Sequence, residues 1–278
     1  MSDQRREETA TDRYRVKPGK KVKMDDWSSR DKEIHEDLDK EESYPVLHEL
    51  RHQLQSLQKL LYAQGKHKVL IVIQAMDTGG KDGCIRHVFS NVDPQGITVT
   101  PFKAPSSEEL AHDYLWRIHE HTPAKGHIAV FNRSHYEDII AVRVKNLAPK
   151  EVWEKRYQHI VDFERMLADE GTLILKFYLN ISNKEQRERL QARLDDPAKH
   201  WKFNPDDLKD RAKWGEFMDV YEDVISKTSS EHAPWFMIPA DRKWYRNLVV
   251  AEIIRDALEN LKMDYPEISW NPDTVEIE

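Results

Sequence analysis

Two acids, a lysine and three glycines fall within seven residues, Asp77-Thr78-Gly79-Gly80-Lys81-Asp82-Gly83, a mixture suited to holding a phosphate. Gly79, Gly80 and Gly83 allow backbone conformations closed to other residues, so that main-chain N–H groups can close on an anion. Lys81, read as an exposed loop lysine, adds positive charge, and Thr78 a hydroxyl. The match to GxxxxGK followed by Ser or Thr is imperfect: Ala75 takes the first glycine position, and Asp82 stands where a hydroxyl would meet magnesium. A carboxylate there is still a hard oxygen ligand, so Asp82 is a candidate for Mg2+. Asp77 would be repelled by bound phosphate unless Mg2+ lies between them or Asp77 handles the attacking group. That makes it the second metal candidate and, with Lys81 and Asp82, a candidate catalytic residue. As a bare pattern, the run could also be a surface turn.

The elements that must position these residues favour the phosphate. Five consecutive apolar residues from Val69 to Ile73, four of them β-branched, predict a central parallel strand covered on both faces, and a helix start follows the loop. A second strand, 97–102, delivers Lys103 to the carboxyl end of the sheet, where ligands bind in such folds; an ordinary loop lysine is the alternative. The third strand, 127–131, runs into Asn132, Arg133, Ser134, His135, Tyr136, Glu137 and Asp138. Arg133 suits a bidentate phosphate contact, and Asn132 occupies the place where many phosphate-loop enzymes carry a magnesium-holding acid. Reading His135, Glu137 and Asp138 with His119 and His121 as a transition-metal cluster finds no support in HExxH or Cys/His spacing.

Further strands are expected at 172–179 and 234–239. Helices are expected at 106–120, up to Arg143, at 149–170 and at 242–261, the last with an inner stripe of Leu248, Ala251, Ile254, Leu258 and Leu261. Strand and helix alternating around one sheet give a doubly wound α/β/α domain. Between Lys184 and Lys213 nine basic residues face seven acidic ones in helical-hairpin material, with Arg189 and Arg193 on one face and Lys199, Trp201 and Lys202 in the turn. Such mixed charge suits a solvated surface or, placed after the fourth strand, a mobile lid that grips phosphate.

Residues 1–11 read as disordered. Residues 12–23 hold six basic residues against one acidic, an arm for a polyanion or a solvated tail, and 25–42 reverse the sign with nine acidic against three basic. Leu47, Leu50, Leu54, Leu57 and Leu61 form an amphipathic stripe that fits either the sheet or another subunit, the only hint of a homo-oligomer. A net charge of −7 argues against nucleic acid as a partner, so a polyanion must be met by local clusters. No run is apolar enough for a membrane span or secretory signal, and the single cysteine, Cys84, suits a reducing cytoplasm.

MDTGGKDG at 76–83, EELAHDYLWR at 108–117, FNRSHYED at 131–138 and ARLDDPAKHWKFNPDDLK at 192–209 together resemble the type-2 polyphosphate kinases along nearly the whole chain. The resemblance implies a P-loop kinase fold of the thymidylate kinase type. It would comprise an N-terminal arm and helix (1–66), a core (67–262) with a lid at about 183–213, and a tail (263–278). It also implies Mg2+-dependent phosphoryl transfer between inorganic polyphosphate and nucleotides. Asp77, Lys81 and Asp82 match the family's Walker A functional positions, Arg133 the arginine after Walker B, and Arg193 a lid arginine. Thr78, Gly79, Gly80, Gly83, Lys103, Asn132, Glu137 and Lys202 complete the expected phosphate and nucleotide contacts. Many members carry Asp before that arginine and continue SWYNR. Asn132 and SHYED instead resemble the subgroup that uses AMP as well as ADP, with GMP and GDP as further acceptors, to make ADP and ATP. The basic arm of that subgroup favours polyphosphate contact by Lys20, Lys21 or Lys23. An ATP-dependent nucleoside monophosphate kinase and a non-catalytic polyanion- or nucleotide-binding module are the alternatives.

Overall fold

The computed structural model describes residues 8–277. Five strands, β1 (Lys68–Gln74), β2 (Ile97–Pro101), β3 (Ile128–Asn132), β4 (Thr172–Asn180) and β5 (Trp235–Pro239), form one parallel sheet in the order β2-β3-β1-β4-β5. Val69 pairs with Ile128 on one side and Leu173 on the other, so the carboxyl ends of the three central strands finish together. The apolar run of β1 is continuous because both faces are covered: Val69, Ile71 and Ile73 enter one core, Leu70 and Val72 the other.

The helices divide between those two cores. Helices α1 (Ala10–Tyr14), α2 (Ser43–Gln64) and α3 (Lys81–Val88) share the first face. Two short helices, α4 (Ser107–Ala111) and α5 (Trp116–His119), follow β2. Helices α6 (Glu137–Val144) and α7 (Lys150–Asp169) cover the second face. Next come α8 (Asn183–Leu194), a 3-10 turn at Pro197–Lys202 and α9 (Asp206–Ala212), the segment expected as a lid. Helix α10 (Trp214–Thr228) joins the second face and α11 (Lys243–Glu259) the first. The chain leaving β1 thus turns to one face and the chain leaving β3 to the other. A crevice opens between them at the carboxyl edge.

One open alternative is resolved and three expectations need correction. The leucine stripe is used inside the chain, since Leu47, Leu50, Leu54 and Leu61 are buried in the same core as α11, and it therefore gives no support for a second subunit. The helix expected over 106–120 is broken: Ser106 and Glu109 form a capping box at its start, but the Asp113 carboxylate accepts from the Leu115 N–H (2.9 Å) and competes with the helix ladder. Helix α10 stands beyond the expected set. Finally, the basic N-terminal segment is not loose. Thr9 caps α1, the Val16 N–H donates to the Trp235 carbonyl (2.8 Å), and Arg15 bridges antiparallel to Phe236, covering the β5 edge. The remainder of the expected disorder, residues 1–7, lies outside the described residues. Among the described residues no helix is long and apolar enough to cross a membrane.

Candidate active site

After β1 the chain folds tightly back. The Gly79 N–H donates to the Met76 carbonyl at 2.9 Å, and a Cβ on Gly79 would lie 2.5 Å from the Ala75 Cβ. Gly80, at φ 97°, is the N-cap of α3 and brings no side chain to cap it, so the first N–H groups of the helix remain available to an anion. Thr78 and Arg133, on the two loops of the crevice, both hold φ near 62°. Backbone strain of about 1–3 kcal/mol at each is tolerable only where the surroundings fix the loop, and it clusters at functional sites.

Lys81 is not an exposed loop lysine. Only 7% exposed, it donates to the Ala75 carbonyl at 2.9 Å. Burial and the Arg133 charge push its ammonium below the ordinary lysine range, against Asp77, Glu137 and Asp82. Burial pushes the Asp77 carboxyl up, but Lys81, Arg133 and Lys145 together outweigh it and hold Asp77 below the usual carboxylate range. Asp77 accepts from Arg133 Nη2 at 2.5 Å, and Asp82 Oδ1 accepts from Asn132 Nδ2 at 2.7 Å. Asn132 ends β3 opposite Ile73, so the pairing of β1 with β3 sets how Asp82 is held. Asn132 is thereby an orienting partner for Asp82 as well as a crevice residue.

One cavity of about 790 Å³ is lined by the whole loop from Asp77 to Gly83 together with Lys103, Asn132, Arg133, Arg193 and Lys202. Glu137 is not in its lining. In the amide orientation that satisfies both ends, Gln74 donates to Glu137 Oε1 (3.0 Å) and accepts from the Ser134 hydroxyl (3.1 Å), and Glu137 acts on Lys81 and Arg133 through its charge. Lys20, Lys21 and Lys23 are exposed and outside the cavity. Lys20 borders a separate cavity of about 600 Å³ with Trp27. Arg193 is engaged within segment 183–213, donating to the Lys202 carbonyl (3.0 Å) and pairing with Asp207 (3.4 Å). Burial and nearby Asp77 push the Asp207 carboxyl up to about 6, against Arg193 and Arg133.

The cavity also contains Lys199, noted only in the turn with Lys202, and cations that sequence reading left out: Arg86, Lys243 and Arg246. A signal for Arg246 exists, because an arginine inside the apolar run of the last helix needs a reason to be there. Arg189, noted only as sharing a face with Arg193, ties α8 to the loop: Nη1 donates to the carbonyls of Thr78 (3.2 Å) and Gly79 (3.0 Å), and Nη2 to that of Ala240 (2.6 Å). His135 is fully buried against Glu164 (3.2 Å), and the described residues include no group of three acids, histidines or cysteines placed to hold a metal.

The chain matches the family model described as polyphosphate kinase 2 over residues 37–266. It is 52% identical over 266 residues to an AMP/ADP-polyphosphate phosphotransferase of Meiothermus ruber, covering 96% of this chain and 99% of that protein. An ADP-polyphosphate phosphotransferase of Rhodopseudomonas palustris is 44% identical, with 92% of each chain covered. The crystal structure of a polyphosphate kinase 2 from Arthrobacter aurescens is similar at a TM-score of 0.91 and 40% identity, covering 95% of this chain and 94% of the other.

Proposed function

This chain belongs to the polyphosphate kinase 2 family, and on that premise we propose that it transfers phosphate between inorganic polyphosphate and nucleotides, phosphorylating AMP and ADP. The observation that carries this reading is a phosphate loop facing a cavity walled by cations, with two carboxylates held at the loop by Arg133 and Asn132. Arg86, Lys243 and Arg246 in the lining supply charge, while the phenyl ring of the lining, Phe102, directly precedes Lys103. We therefore assign the polymer's terminal phosphates to the loop, and the nucleotide to the side of Phe102, Lys103 and Asn132.

Phosphoryl transfer needs positioning and charge balance more than covalent help. The loop N–H groups hold the donor phosphate, and Lys81, fixed by the Ala75 carbonyl, balances its oxygens from below. Arg133, aimed by Asp77, balances them from the β3 side. The acceptor is a phosphate already ionised at neutral pH, so no deep general base is required. Asp82 and Asp77 fit Mg2+, which takes one or two carboxylates together with substrate phosphates; Asp82 is exposed and has one oxygen outside its Asn132 bond. Bound there, Mg2+ would neutralise charge shared by donor and acceptor. Segment 183–213 acts as a lid that excludes water from the transferring group.

AMP use rests on Asn132 and the SHYED run, and on the similarity to a relative named for AMP and ADP together. We infer a cytoplasmic location, a reading that the single buried cysteine supports. A donor and acceptor matrix tests the proposal: polyphosphate with ADP, polyphosphate with AMP, and ATP with AMP, each with Mg2+. Products are expected with polyphosphate as donor. Turnover with ATP and AMP alone would point to a nucleoside monophosphate kinase, and ligand binding without turnover to a binding module.

A further inference from the structure

Arg246 is a buried cation that, among the described residues, has no carboxylate as a salt-bridge partner. Its residue is 2% exposed, in the first two turns of α11. Its side chain meets two neutral groups, Asn247 Oδ1, from Nε (3.1 Å) and Nη2 (2.8 Å), and the Cys84 thiol. Among the described residues no carboxylate lies within ion-pairing distance of it, whereas the buried Lys176 meets Glu164 at 2.6 Å. A charge withdrawn from water is normally kept only against a counter-charge.

The guanidinium lies against the phosphate loop. A Cβ on Gly80 would fall on Arg246 Nη1 and 3.3 Å from Arg189 Nη1, and one on Gly83 would sit 3.6 Å from Arg246 Nη2. Gly80 is thus required twice, by its φ of 97° and by the arginine that occupies its side-chain space. Two guanidiniums converge there on the uncapped N-terminus of α3, itself a partial positive charge. Arg189 is neutralised by Glu185 at 2.7 Å and by loop carbonyls, but Arg246 is not. Such an arrangement raises the energy of the protein alone and lowers that of a complex with an anion.

We propose that Arg246 is a phosphate-binding residue, its guanidinium oriented by Asn247 to take an oxygen of the polyphosphate group held at Gly80–Gly83. The proposal rests on assigning the polymer to the loop. It explains why an arginine is buried in α11 just ahead of the apolar run from Leu248 to Ala251.

The test compares wild type with R246M, which keeps length and removes charge, and with R246K. Thermal midpoints are measured with and without sodium tripolyphosphate, and affinities for tripolyphosphate and for AMP by calorimetry. R246M is expected to be as stable as wild type or more so without anion. It should lose most of the tripolyphosphate-induced rise in midpoint and bind tripolyphosphate about 10- to 100-fold more weakly, the loss for a charge-assisted hydrogen bond. AMP affinity should stay within about twofold, and R246K should fall between. If R246M is destabilised or unfolded without anion, Arg246 is a structural strut and the proposal fails. Equal tripolyphosphate binding by wild type and R246M overturns the Arg246 assignment alone. No tripolyphosphate binding by wild type overturns the proposed function with it.

Discussion

Glu164→Gln should cost about 3–5 kcal/mol, the range for breaking a buried ion pair from one side. Glu164 on α7 and Lys176 on β4 are 1% and 0% exposed. Glu164 Oε2 accepts from Lys176 Nζ (2.6 Å), and Oε1 from the Tyr136 hydroxyl (2.8 Å), with His135 Nε2 at 3.2 Å. Glutamine removes the charge and turns one acceptor into a donor, leaving the Lys176 ammonium with neutral partners only, among them the Tyr136 hydroxyl and the Thr228 carbonyl. In urea, with a slope of roughly 3 kcal/mol/M for a chain of this size, the midpoint should fall by about 1–2 M. The double variant E164L/K176M should regain at least about 2 kcal/mol of this, because it leaves no lone charge. Burial pushes the Glu164 carboxyl up, but Lys176 and His135 outweigh it and hold it below the usual carboxylate range. Its contribution is therefore present above the unfolded carboxyl's pKa of about 4.3 and is lost as pH falls through the lower folded value, so the gap between wild type and E164Q should close in acid. Because His135 and Tyr136 lie two and three residues after Arg133, kcat should fall as well. A midpoint shift under about 0.3 M, with the double variant additive, would refute the reasoning.

K81A should lower kcat by about 10²–10³-fold through lost charge balance, with only a modest fall in stability because the Lys81 ammonium bonds two carbonyls and no carboxylate; near-normal kcat would reject the loop assignment. D82N should raise the Mg2+ concentration needed for half-maximal rate, and an unchanged requirement would return Asp82 to an ordinary first-turn acid. Asp207, pushed up to about 6, is neutral below that pH and charged above it. Polyphosphate affinity should therefore fall as pH rises through about 6, and the Asp207 contribution to stability should fall between its unfolded value near 4 and about 6. Titrations of D207N should lack both trends. Neutralising Arg193 with Lys202 should weaken long polyphosphate more than neutralising Lys20, Lys21 and Lys23, since only the first pair lines the cavity, and the loss should shrink at high salt.

The features readable in sequence were those whose chemistry is local. The run from Val69 to Gly83 specified strand, turn and helix start by composition alone, and the end of β3 delivered Asn132 and Arg133 because parallel strands finish together. Periodicity gave the leucine face of α2 but not its partner, since a stripe packs equally well on α11 or on another chain. The spacing Phe217, Val220, Tyr221, Val224, Ile225 is a readable helix face, masked by the charged segment before it. The docking of the N-terminal segment was present in the alternation of Tyr14 and Val16 with Arg13, Arg15 and Lys17, obscured by their charge. Lys81 and Arg246 were misplaced or unseen for one reason: a cation is expected outside, and only three-dimensional proximity shows which carbonyl or loop holds it inside.

Phosphorus NMR of purified protein given AMP, polyphosphate and Mg2+, with adenylate kinase inhibited, follows the transferred atom itself. The polymer's terminal signal should decline as the β-phosphate of ADP and then the γ-phosphate of ATP appear, and K81A should abolish both. Brisk conversion of ADP to ATP without any ADP formed from AMP would contradict the use of AMP, and no transfer to either nucleotide would contradict polyphosphate-dependent phosphoryl transfer altogether.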